Sequence, residues 1–81
     1  MAEESVDLRK ERAESSTSAA ELEKLAEDKH EVVREGVAGN ANTPIPQLEK
    51  LAEDKEGVRF YVAGNANTPV SVLEKLAEDK N

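Results

Sequence analysis

The chain has 81 residues, 11 basic and 18 acidic, for a net charge of −7, and it contains no cysteine. That length holds one domain near the lower limit for a self-sufficient core, and the missing thiols exclude disulfides and thiolate metal sites, as suits a reducing cytoplasm, the compartment expected here. The acidic excess disfavours nucleic-acid and membrane-surface roles, apolar runs only a few residues long exclude a membrane span, and Phe60 and Tyr61 are the only aromatic residues available to stack on bases.

Residues 1–7 are acidic and apolar-poor and read as a disordered lead-in. A repeat domain is expected over 8–81, with a degenerate unit at 8–29 and fuller units at 30–55 and 56–80. "LEKLAEDK" occurs at 22–29, 48–55 and 73–80, and "VAGNANTP" at 37–44 and 62–69. The pattern V-R-x-x-V-A runs through Val33, Arg34, Val37 and Ala38, then through Val58, Arg59, Val62 and Ala63, 25 residues on. In the first unit, "ESST" stands where the later ones have "GNANT". Such a period signals a solenoid whose units bury their apolar faces on one another.

Within a unit, Thr43 is expected to cap a helix with its hydroxyl, with Pro44 at the first helical position and Pro46 tolerated in the same turn. Thr68 and Pro69 repeat that pair. Ile45, Leu48, Leu51 and Ala52 follow at helical spacing. Asp54 is read as ending this helix and capping the next, which carries Val58, Val62 and Ala63. Gly64 is expected to be a left-handed stop, and Asn40, Asn65 and Asn67 to satisfy backbone groups at the corners. The V-R-x-x-V-A helix is read as the shorter of the two, six to eight residues, α or 3₁₀. No segment alternates with period two, so the fold class is all-α.

The pattern VRxxVAGNxNTPxxxLEKLAED resembles the leucine-rich repeat variant family of bacterial proteins, well over 33–80 and weakly over 8–29. Arg34, Asn40, Thr43, Pro44, Leu48, Leu51, Ala52 and Asp54 fall at that family's repeat positions. The resemblance implies a right-handed superhelix of alternating α- and 3₁₀-helices and a general binding role, with no catalytic residues to carry over. Ala41 and Ala66 stand where the family often has proline, and the cysteine-rich iron–sulfur module of some members is impossible here.

The inventory argues against an enzyme. His30 is the only histidine and reads as an exposed turn residue, since a zinc site or a triad needs further partners. No cofactor or metal is expected. Glu23, Glu49 and Glu74 should form one column, Glu27, Glu53 and Glu78 another, and Lys24, Lys50 and Lys75 a third, together a solvated face. "GNAN" lacks the lysine and glycine pattern of a phosphate loop. Arg34 and Arg59 are read as tying adjacent helices through Asp28 and Asp54. Phe60 and Tyr61 replace Glu35 and Gly36 of the preceding unit, and an outward phenylalanine is a candidate anchor for a protein partner. The expectation is a non-enzymatic protein-interaction module within a larger protein, the alternative a spacer or a trimmed or designed array without a ligand. The last helix carries Val70, Leu73, Leu76 and Ala77 with no V-R-x-x-V-A helix after it, so weak self-association or fraying is expected there.

Overall fold

A computed structural model describes residues 4–78, and within them the chain forms six α-helices and no strand. The first three and last three residues, including part of the expected lead-in, lie outside the described region. The first two helices open on serine caps. Ser5 accepts from the Leu8 N–H to start α1 (Val6–Ser15), and Ser18 accepts from the Glu21 N–H to start α2 (Ala19–Leu25). Val6 and Asp7, placed in the lead-in from sequence, therefore begin a helix. The remaining helices are α3 (Glu31–Gly39), α4 (Ile45–Leu51), α5 (Glu56–Gly64) and α6 (Val70–Ala77).

Helix α3 packs between α1 and α5, while α2 rests on α1 and α3, α4 on α3 and α5, and α6 on α5, in a particle of 44 × 23 × 15 Å. The core runs along this row. Leu22, Val33, Val37, Leu48, Leu51, Val58 and Val62 are fully buried. Ile45 and Ala63, expected on buried faces, are exposed. Ala38, the counterpart of Ala63, is fully buried beside α5, whereas no described helix covers Ala63.

The V-R-x-x-V-A helices are the longer ones, at nine residues against seven for α4, and both are α rather than 3₁₀. The prolines and the corner shorten α4 at its start. At its end, Glu53 and Asp54 donate three residues back, to Lys50 and Leu51 at 3.1 Å each, tightening the last turn. Pro44 is the N-cap of α4 rather than its first helical residue, and Pro69 stands likewise before α6; neither helix has a side-chain cap bond. Pro46 still falls in the first turn, where its missing N–H costs nothing.

Thr43 and Thr68 face the other way from the expectation. Each hydroxyl donates backwards, Thr43 to the Val37 carbonyl at 2.6 Å and Thr68 to the Val62 carbonyl at 2.7 Å, so they close the preceding helix instead of opening the next. With Pro44 supplying the N-cap, both threonines are buried against the ends of α3 and α5. Thr43→Val, which keeps the shape but loses the donor, is expected to cost about 1–2 kcal/mol, and Thr43→Ser to recover most of it in thermal melts. A valine variant as stable as the parent would remove the hydroxyl from this account. Gly64 is not a left-handed stop either, since no described residue has positive φ. The chain leaves α3 and α5 through extended Asn40 and Asn65.

Candidate partner-contact surface

The repeat asparagines join one unit to the next. The Asn40 amide donates to the Ala13 and Ser16 carbonyls at 2.8 and 2.9 Å, and the Asn65 amide to those of Ala38 and Asn40 at 2.8 and 3.0 Å. Each side-chain oxygen accepts the N–H two residues on, from Asn42 and Asn67. Asn67 also donates to the Ala41 carbonyl. Ser16 plays the same local part in the first unit, its hydroxyl accepting from the Ser18 N–H at 3.1 Å. "ESST" thus keeps the corner but carries no amide.

The arginines form a second series. Arg34 grips Asp54 through Nε and Nη2 at 2.8 and 3.1 Å and donates through Nη1 to the Asp28 carbonyl at 2.9 Å. Arg59 donates to the Asp54 carbonyl at 2.7 Å. Arg9 pairs with Asp28 at 2.7 Å, and its remaining nitrogen donates to the Glu4 carbonyl, which takes the place of a preceding unit. This matches the tie between helices read from sequence. It also corrects the role of Asp54, whose carboxylate holds Arg34 and the Lys55 N–H, while α5 starts without a side-chain cap.

Burial pushes the Asp54 carboxyl up, but the Arg34 hydrogen bond, the Lys55 N–H and the neighbouring positive charges outweigh it, and the net direction is down. A carboxylate depressed in the fold contributes stability that is present above its unfolded pKa and lost as pH falls through the lower folded value. Arg34→Met removes the side-chain hydrogen bond and the charge of Arg34 while the Lys55 N–H stays, so the carboxyl is depressed less and acid unfolding is expected to begin at higher pH than the parent's. Superimposed acid transitions would contradict the pairing.

On the opposite layer, Lys50 pairs with Glu27 at 2.8 Å and Lys75 with Glu53 at 2.6 Å. Glu27 and Glu53 of one expected glutamate column are thus cross-linked between units to Lys50 and Lys75 of the lysine column, as exposed pairs that contribute little. His30 is partly buried as the N-cap of α3, its N–H donating to Asp28 at 2.9 Å. Among the described residues no three metal-ligating side chains come together.

Two of the three candidate contact residues, Glu35 and Tyr61, line one depression on the α1–α3–α5 row, and Phe60 meets the Tyr61 ring beside it. Phe60 is 72% exposed and Tyr61 44%, their rings edge to face at 5.3 Å. Gly36, the counterpart of Tyr61, is buried because α1 comes so close that a Cβ there would lie 2.9 Å from that of Ala13. Where α3 has this glycine it nestles against α1; where α5 has tyrosine, the ring stands over α3. Between them lies a depression of about 210 Å³ lined by Lys10, Glu14, Glu35, Gly36, Gly39 and Tyr61. Burial and the neighbouring Glu31 raise the Glu35 carboxyl above its ordinary value. Lys10, Glu14 and Gly39 were not legible as part of this surface, because only packing brings them beside Tyr61. The one sequence signal was the exchange of Gly36 for Tyr61 between otherwise similar units. Comparison of the chain with protein-family models, with curated proteins and with solved structures finds no match.

Proposed function

We propose that the chain is a non-enzymatic helical-repeat module for protein–protein contact, with the Phe60–Tyr61 edge as its anchor. The observation that carries this reading is Phe60. It occupies the register of Glu35 in the preceding unit, yet stands 72% exposed beside a half-exposed tyrosine. A large ring held in water is a typical centre of a contact surface. The asparagine and arginine series, each repeated about 25 residues on, support a short solenoid of the leucine-rich repeat variant kind, built to present a rigid face. No described helix is long and apolar enough to cross a membrane, and a cytoplasmic setting belongs to the proposal.

The test is selection of binders from a random peptide library, with counter-selection on Phe60→Glu. Peptides that bind the parent at least tenfold more tightly than the variant are expected. A library yielding only peptides indifferent to the substitution would leave the spacer reading.

A second reading, weak self-association through α6, is favoured by Leu73. It is 37% exposed where its counterpart Leu48 is fully buried, and Val70 next to it is open. Sedimentation should then show dimer growing with salt, as screening reduces the repulsion between copies. A strictly monomeric protein at every salt concentration would end this reading.

A further inference from the structure

The depression beside Tyr61 forms where the repeat glycine Gly39 faces a tyrosine standing in the register of Gly36. Gly36 is required by the approach of α1, but Gly39 is not. Its backbone has no positive φ, and a Cβ there would meet only the Tyr61 ring, at an ordinary 3.5 Å. Gly39 ends α3 as Gly64 ends α5, and only beside Gly39 does a tyrosine stand, so what the glycine leaves here is a bare floor under an aromatic wall. At about 210 Å³ the space falls below the roughly 300–1,000 Å³ of small-molecule clefts. It suits one side chain.

The charges around it select which one. Glu14 and Glu35 line the space, and Glu31 stands one turn before Glu35, its Oε2 sharing with that of Glu35 the gap over Gly57. Against these carboxylates stands Lys10, already held by Glu14 at 2.7 Å. Neither Glu31 nor Glu35 makes an ion pair among the described residues. A cation entering over Gly39 would meet the Glu35 carboxylate and the electron-rich Tyr61 ring together, two features that each attract it. The chain's net charge of −7 draws basic partners toward it from a distance.

We propose that this depression receives a lysine or arginine side chain of a basic partner segment, whose neighbouring apolar residue packs on Phe60. The proposal rests on the contact-module reading and names the chemistry of the partner.

Tyr61 is the only tyrosine and there is no tryptophan, so tyrosine emission reports on this site directly. The probe is a 12-residue peptide (order of magnitude set by the span of a few helix-row contacts) of Lys, Leu and Gly, titrated beside a twin with Glu in place of Lys. The lysine peptide should change the emission saturably, and the twin should not. Gly39→Leu, which fills the floor, and Glu35→Lys should each weaken binding at least fivefold while circular dichroism shows the helices intact. Gly64→Leu, at the equivalent and open place on α5, and Glu74→Lys, an equal charge change on α6, should stay within twofold of the parent. Equal losses in Glu35→Lys and Glu74→Lys would reduce the effect to net charge and overturn the proposal. So would undiminished binding to Gly39→Leu; if Phe60→Glu abolished binding in that same series, the contact-module reading would survive without the cation pocket.

Discussion

Asn40→Leu is expected to be among the most destabilising single substitutions in this protein. The amide is buried and makes three bonds at once: to the Ala13 carbonyl at 2.8 Å, to the Ser16 carbonyl at 2.9 Å and from the Asn42 N–H at 2.7 Å. Leucine matches its size roughly but satisfies none of these groups. A buried backbone group left without a partner costs about 1–3 kcal/mol, and the Asn42 N–H can regain water, so a loss of about 2–5 kcal/mol is expected in urea unfolding. Asn40→Asp should be at least as harmful at neutral pH, because a carboxylate keeps the acceptor but turns negative charge on two carbonyl oxygens. That penalty should shrink in acid as the carboxyl is protonated. Asn42→Ala, an exposed change at the same corner, should stay within about 0.5 kcal/mol of the parent. If Asn40→Leu and Asn42→Ala moved the urea midpoint alike, the amide would not be what joins these units.

The second large effect separates the leucines. Leu51→Ala should cost about 2–5 kcal/mol, as for a fully packed leucine, because that side chain is fully buried within the core cluster. Leu73→Ala should cost less than half as much, its side chain being already 37% in solvent. The first unit does not behave as its weak sequence suggests. Leu22 is as buried as Leu51, so Leu22→Ala is expected to match Leu51→Ala, contrary to the cheap truncation its degenerate repeat would predict. The reason is that α2 is held at both sides. It packs on α1 and α3, and the Asn40 amide fastens the corner just before it. Three equal midpoint shifts would show that burial at the end of the row does not limit the cost.

What could be read from the residues alone was whatever depends on neighbours along the chain. The apolar spacing of Leu48 and Leu51, and of Val58 and Val62, marks helix faces, because side chains three and four residues apart share a side of any α-helix. Pro44, Pro46 and the Asn-rich corners mark where helices stop, because those residues bias their own backbone. The arginine ties were legible for a related reason: Arg34 recurs as Arg59 at the spacing of the repeat, and an acid lies within reach of each unit's end.

Properties that depend on which helix arrives alongside were decided only in three dimensions. Thr43 is a local exception: the same hydroxyl could cap forwards or backwards, and with Pro44 as the N-cap it turns to the Val37 carbonyl six residues before, at 2.6 Å. Ala38 and Ala63 have nearly identical local sequences, yet one is buried under α5 and the other is open. Gly36 and Tyr61 share a register but meet different neighbours, so one closes a helix contact and the other walls a depression. Local pattern determines the conformation of each segment, since backbone preference and side-chain periodicity act within a few residues. Burial, the asparagine bonds that join residues 24 to 27 apart and the shape of the depression beside Tyr61 follow from the packing of α1, α3 and α5, in which identical residues gain or lose a neighbour according to their place in the row.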